Sequence, residues 1–161
     1  LGPRFELVPV ADDTGYWTQA HLGRAMAKLD FNHDGKTDLV VTHLGEASAV
    51  LKNETGNTGH CFQVELVGSS AERDAIGARV KIDYGDHTST DFLIAGDGYL
   101  CRNEAMLTFG LGNINKVDRL TVDWPNGTQQ VFHDLEADRR WLVVQGQLEP
   151  FSLFKHLGPK Q

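Results

Sequence analysis

The feature that most constrains this chain is a nine-residue stretch in which oxygen-bearing side chains recur at every second position. The stretch covers residues 30–38 and has the sequence DFNHDGKTD. A hard cation such as Ca2+ takes six to eight oxygen ligands at about 2.3–2.6 Å, and a loop of this kind can place them around one point. We therefore predict one Ca2+ site here. Its expected ligands are the side chains of Asp30, Asn32, Asp34 and Asp38 and the main-chain carbonyl of Lys36.

The residues around this loop predict strands rather than helices. The start of the loop matches the EF-hand pattern, but that pattern requires Glu at its twelfth position, which is Val41 here. Residues 39–42 (LVVT) form a short β-branched run that is typical of a strand. We expect a calcium loop within a β-hairpin, with Gly35 at the sharp turn. A turn without metal stays open as an alternative, because Asp and Asn side chains can bond to the neighbouring main chain.

Composition sets the protein class. The chain has 161 residues, of which 40% are hydrophobic and 23% are charged, and these values are typical of a globular domain. No apolar run approaches the ~20 residues of a membrane span. The net charge of −7 argues against nucleic acid binding, which needs clustered Lys and Arg. The chain begins at Leu1 without a signal-like segment, so we expect a fragment or mature form whose export signal lies outside it.

Alternating apolar and polar residues after position 60 predict an all-β fold. In four segments every second residue is apolar, which places those side chains on one face of a strand. The predicted inward positions are Phe62, Val64, Leu66, Val80, Ile82, Tyr84, Leu107, Phe109, Leu111, Leu120, Val122 and Trp124. An antiparallel β-sandwich or barrel over residues 59–147 follows from this pattern.

Two further units flank the predicted β-domain. The polar segment at residues 54–59 marks a boundary, so residues 1–58 form an N-terminal unit, with a strand possible at residues 5–10. Residues 148–161 form a C-terminal tail, which we expect to be a helical turn docked on the body or a linker. Cys61 and Cys101 could form one disulfide or remain two buried thiols, and the sequence leaves both possibilities open.

The sequence predicts that the chain is not an enzyme. The serines, cysteines and seven histidines show no nucleophile–base or zinc-binding spacing, and His133 beside Asp134 is interpreted as structural. Aromatic residues could instead form a sugar-stacking platform. Trp124 and Trp141 are expected in the core. The aromatic residues that remain candidates for ligand contact are Tyr16, Trp17 and Tyr99.

Two families resemble parts of this chain. Residues 23–53 resemble a single FG-GAP/VCBS-type repeat, the blade unit of integrin-like β-propellers, whose D-x-[DN]-x-D-G-x-x-D loop binds Ca2+. Residues 60–146 resemble an ASPIC/UnbV domain, which follows such repeats in many bacterial secreted proteins. The second resemblance rests on AIGARV at residues 75–80, GDGYL at 96–100, FGLG at 109–112 and WPNG at 124–127. One departure is Glu72, where the family often has Asn before Arg.

The resemblance implies a secreted, cell-surface or periplasmic protein. Its implied function is a non-catalytic, calcium-binding interaction or adhesion module, the C-terminal fragment of a larger repeat protein, with a protein or glycan partner at a cell surface or in a matrix. The alternative is a carbohydrate-binding module or an accessory domain of an enzyme. One repeat cannot form a propeller, because blades bury their faces against neighbouring blades. We therefore expect the hairpin to pack on the β-domain as an appendage.

Overall fold

The computed structural model describes residues 15–56, 58–96 and 98–155, which form three β-sheets. The strands are β1 Gly23–Leu29, β2 Asp38–His43, β3 Ala49–Leu51, β4 His60–Val67, β5 Arg79–Tyr84, β6 His87–Phe92, β7 Met106–Gly112, β8 Lys116–Asp123, β9 Gln129–Glu136, β10 Arg139–Val144 and β11 Phe151–Lys155. A 3-10 turn, Tyr16–Thr18, precedes them. Across these ranges no helix is long and apolar enough to span a membrane. The strand considered at residues 5–10 lies outside the described residues.

Two four-stranded sheets pack face to face as a sandwich. Their strand orders are β11-β10-β4-β7 and β6-β5-β8-β9. Every inward position predicted from the alternation is buried in the single core between them, because a period of two places those side chains on one face of each strand. The predicted all-β sandwich is confirmed. Over the described strands the two sheets stay separate, so the barrel alternative is not the one adopted.

One strand pair of the sandwich is parallel. Strand β10 runs parallel to β4, with Arg140 opposite Gln63 and Val144 opposite Val67, whereas the other pairs among the described strands are antiparallel. Parallel neighbours need a long crossover connection, and here the intervening strands of both sheets supply it. Local alternation carries no information about this pairing, which was not predicted.

The C-terminal tail differs from the prediction. Residues Phe151–Lys155 form an edge strand that pairs antiparallel with β10, so the expectation of a helical turn or linker was wrong for this segment. Phe151 and Leu153 both remain substantially exposed. An edge strand is held by main-chain pairing with one neighbour, and it therefore does not require the regular alternation that was missing from this sequence.

Strands β1, β2 and β3 form a separate three-stranded sheet, and the loop of residues 30–38 joins β1 to β2. The predicted hairpin is therefore confirmed. Strand β1 contacts the segment before β7. The N–H of Lys28 donates to Asn103 Oδ1 (2.8 Å), and the N–H of Glu104 donates to the Lys28 carbonyl (2.9 Å). The boundary predicted at residues 54–59 falls between β3 and β4, and independent folding of the two units stays a prediction.

Candidate metal centre

Asp30 directly follows β1 and is the most densely bonded residue of the loop. Its side chain is 4% exposed. Oδ1 accepts a hydrogen bond from the N–H of Asp34 (3.0 Å), while Oδ2 accepts one from the N–H of Gly35 (2.9 Å) and one from Gln63 Nε2 (3.0 Å). Gly35 has a φ of +84°, a conformation that glycine adopts without strain. The predicted sharp turn is thus at Gly35, and it brings the main chain onto Asp30.

Asp38 begins β2 and is fully buried at 0% exposure. Its Oδ2 accepts a hydrogen bond from the N–H of Phe31 (3.0 Å), and its Oδ1 accepts one from the N–H of Asn53 (2.6 Å). The carboxylate therefore joins the start of the loop to the segment that follows β3.

The middle of the loop is closed by three polar residues. Asn32 Nδ2 donates to Asp34 Oδ2 (2.9 Å), and the N–H of Lys36 donates to Asp34 Oδ1 (3.0 Å). The Lys36 ammonium lies 3.5 Å from Asp34 Oδ2. Partial burial acts to raise the pKa of Asp34, but the hydrogen bonds from Asn32 and Lys36 and the lysine charge outweigh it, so the pKa is lowered. Asp34 is therefore ionised at neutral pH.

The predicted ligands thus lie on one short loop, but N–H groups bond to the carboxylate oxygens of Asp30, Asp34 and Asp38. Across the residues that the structure describes, no group of three or more His, Cys, Asp or Glu side chains has a geometry that could hold a metal ion. This arrangement corresponds to the metal-free turn that the sequence left open. Several of these carboxylate oxygens accept a single bond, although each oxygen has two lone pairs. Ca2+ binding stays a prediction.

The donor set fits a hard cation in two respects. All predicted ligand atoms are oxygens, which Ca2+ prefers. In addition, Gln63 is 1% exposed and its carbonyl Oε1 has no hydrogen-bond partner, although the same amide contacts Asp30. Buried acceptors of this kind are rare in folded proteins. For Ca2+ to bind, the Asn32 amide must turn its oxygen inward and the Lys36 ammonium must move away from Asp34.

Gln63 and Glu104 are the residues that sequence reasoning missed. Gln63 was placed on the outward face of its strand, but the hairpin covers that face. Glu104 Oε2 accepts a hydrogen bond from the N–H of Asp30 (3.1 Å), and its Oε1 pairs with Arg140 (3.0 Å), which also pairs with Glu65 (2.9 Å). These contacts join positions 74 and 75 residues apart, and no local pattern in the sequence indicates them.

The aromatic residues are divided between the core and the surface. Trp124 is buried and Trp141 packs half-buried against the core, as predicted. The ring of Tyr16 stacks on His21 with centroids 4.3 Å apart, so one face of Tyr16 is covered. The remaining candidates with exposed rings are Trp17 and Tyr99.

Cys61 and Cys101 are free thiols in the structure, as in the second alternative that the sequence left open, but both are partly rather than fully buried. Burial raises the pKa of the Cys61 thiol to about 12, with smaller contributions from the charges of Asp138, Asp30 and Asp34. This thiol is therefore protonated at neutral pH and is a poor nucleophile.

Comparison with known proteins places the chain in a family. Residues 68–150 match the family model described as ASPIC and UnbV. The chain is also similar to cartilage acidic protein 1 of Xenopus tropicalis, with 33% identity over 111 residues. That alignment covers 65% of this chain and 16% of the frog protein, so the chain corresponds to a small part of its relative. Because the family model matches more than half of its residues, the chain belongs to the ASPIC and UnbV family.

Proposed function

We propose that the chain is a non-catalytic, calcium-binding interaction module of an extracellular protein. The Ca2+ ligands are the side chains of Asp30, Asn32, Asp34 and Asp38 and the carbonyl of Lys36. The observation that carries this proposal is the burial of two carboxylates, Asp30 and Asp38, in one loop, with their hydrogen bonds coming from neutral N–H groups. Burial of carboxylates without an opposite charge beside them is unfavourable, and a divalent cation would offset it.

The hairpin supports the proposal that residues 23–53 are one FG-GAP/VCBS-type repeat. Strand, loop and strand follow each other directly, and the loop joins β1 to β2 as in that repeat. The hairpin lies against the sandwich through Lys28, Asp30 and the segment before β7. In a propeller, a repeat of this kind packs against a neighbouring blade. We propose that the hairpin packs against the sandwich instead.

An interaction role is supported by the surface beside the loop. Phe31, Phe92 and Ile94 expose half or more of their side-chain area there, and apolar groups of this size often mark binding surfaces. The name of the frog relative refers to cartilage, which supports an extracellular protein or glycan as the partner.

The candidate nucleophiles support the absence of catalysis. The Ser69 hydroxyl donates to the Gln145 carbonyl (2.8 Å), the Cys61 pKa is raised to about 12, and the His133 ring contacts a main-chain carbonyl at 3.3 Å. We expect a screen with ester, glycoside and phosphoester substrates to find no turnover. Turnover that disappears in His133→Ala would overturn this part of the proposal.

Calorimetry tests the calcium site directly. Protein stripped with chelator and titrated with Ca2+ should show one site, and Asp34→Ala should abolish it because the loop loses one of its carboxylate ligands. Asp86→Ala, which removes an exposed carboxylate from the turn between β5 and β6, is the matched control and should leave binding unchanged. A flat titration of folded wild-type protein would disprove the calcium proposal.

The competing functions are a carbohydrate-binding module and an accessory domain of an enzyme. The exposed rings of Trp17 and Tyr99 favour the first, because sugars stack on open aromatic faces. A glycan array probed with wild type and with Trp17→Ala distinguishes a carbohydrate-binding module from the main proposal. Sugar binding that depends on Trp17 and not on Ca2+ would favour the carbohydrate-binding module.

A further inference from the structure

We propose that Gln63 is the positioning residue that fixes Asp30 for Ca2+ binding, and that it thereby couples occupancy of the loop to docking of the hairpin on the sandwich. This inference rests on the proposed function, because it concerns the same loop. It adds a residue from a different sheet, 33 positions away in the sequence.

Gln63 is placed rigidly. It lies in β4, which has a strand on either side, and its main chain is opposite Arg140 of β10 and Thr108 of β7. The side chain points away from the sandwich core, is 1% exposed and donates from Nε2 to Asp30 Oδ2 at 3.0 Å. A side chain held this way can fix the orientation of the carboxylate that it contacts, as residues behind metal ligands commonly do.

The chemistry of the contact suits a cation ligand. Gln63 is a neutral donor, so Asp30 is oriented without being neutralised, whereas a lysine or arginine here would compete with the metal. The donor also occupies Oδ2 together with Gly35, while Oδ1 accepts one bond and keeps a lone pair. The buried Oε1 of Gln63 has no donor partner, and its partial negative charge adds to a potential that favours a cation.

Asp30 is also the predicted ligand at which the hairpin contacts the sandwich. Its side chain is held by Gln63 and its N–H by Glu104, both from the sandwich part of the chain. The hydrogen bonds of Asp38, in contrast, come from Phe31 and Asn53 within the N-terminal unit. A change at Gln63 should therefore weaken calcium binding and hairpin docking together.

The test compares Gln63→Met with a matched control, Gln145→Met. Methionine keeps the length of glutamine and removes its hydrogen-bonding groups. Gln145 is also a buried glutamine of the sandwich, but it holds the main chain of residues 69–71 instead of the loop. Calorimetry with Ca2+ should show a Kd raised about 10–100-fold in Gln63→Met and unchanged in Gln145→Met. Melting temperatures, which a merely structural role would also lower, should fall in both.

Three results would overturn the inference. Equal Ca2+ affinity of Gln63→Met and wild type removes the positioning role and leaves the calcium site standing. Equal weakening in both variants shows a general loss of stability instead. A wild-type protein that binds no Ca2+ refutes the proposed function and this inference with it. If Gln63→Met does not fold, Gln63→Asn, which withdraws the amide by one methylene, is measured in its place with the same expected rise in Kd.

Discussion

The hairpin sheet and the sandwich are held together by different kinds of contact. The sandwich buries an apolar core that extends across both of its sheets. In the hairpin unit, within the described residues, Val41 is the one buried hydrophobic residue, and it is accompanied by the buried carboxylates of Asp30 and Asp38. Apolar burial is non-directional, whereas a carboxylate network depends on direction and charge. We therefore expect an ion to affect the hairpin more than the sandwich.

The largest expected effect is the loss of core volume in the sandwich. Phe62→Ala removes a ring that is 0% exposed and should lower the free energy of unfolding by about 3–5 kcal/mol. The matched change in the hairpin, Val50→Ala, removes a side chain that is 52% exposed and should alter it by about 0.5 kcal/mol or less. Urea denaturation measures both values. Similar losses in the two variants would mean that the hairpin depends on apolar burial as much as the sandwich does.

Calcium should act on the hairpin more than on the sandwich. Ca2+ at a hundredfold excess over its Kd should stabilise the folded protein by about 2.7 kcal/mol, seen as a higher melting temperature. On addition of chelator, hydrogen exchange should accelerate in β1 and β2 first, while β4, β5 and β8 stay protected. Uniform loss of protection along the chain would show one cooperative unit, and the boundary at residues 54–59 would then be wrong.

The connection between the two regions offers a smaller effect with a matched pair of glycines. Gly59 has a φ of +74°, and an added Cβ would lie 2.5 Å from the Gly112 carbonyl oxygen, whereas a Cβ at Gly56 would meet nothing within 4 Å. Gly59→Ala should cost about 1–2 kcal/mol from the left-handed main chain alone, and Gly56→Ala should be neutral. If thermal denaturation finds the two variants equally stable, the connection does not constrain the start of β4.

The smallest effect concerns a surface ion pair of the sandwich. The hydrogen bond from Gln129, with the contact to Arg79, lowers the pKa of Asp123. A lowered folded-state pKa adds stability above the unfolded value of about 3.9, and this contribution is lost as the pH falls through the folded-state pKa. Asp123→Asn should therefore lose less stability on acidification than wild type, by about 0.2–1 kcal/mol. Urea denaturation at several acidic pH values measures this difference, and parallel curves would contradict it.

Local pattern was sufficient to predict the hairpin and four strands of the sandwich, but not β11. Alternation identified the inward residues of β4, β5, β7 and β8, because a strand with one buried face must repeat every two residues. The loop between β1 and β2 was predicted from the spacing of its Asp and Asn residues. Its bonding was not, since the same oxygens serve either main-chain N–H groups or a cation.

Contacts between distant segments could not be predicted. Gln63 has the polar character expected of an outward strand position, and only the docked hairpin makes that position buried. Strand β11 has no alternation because it lies at an edge, and its pairing partner is set by the open side of β10. Both the burial of Gln63 and the pairing of β11 depend on how the sheets pack together. Short segments of a single sequence carry no information about that packing.

The parallel pairing of β4 with β10 has a consequence for the order in which the protein forms during synthesis. The hairpin strands β1 and β2 are neighbours in the chain and can pair as soon as both have left the ribosome. One side of β4 can pair earlier with β7, but its other side must wait for β10, as shown by the contact between Glu65 and Arg140, which are 75 residues apart. At about 5–20 residues per second, this delay is about 4–15 s. Through that interval one long side of β4 has no partner, so we expect the nascent chain to be most prone to aggregation there.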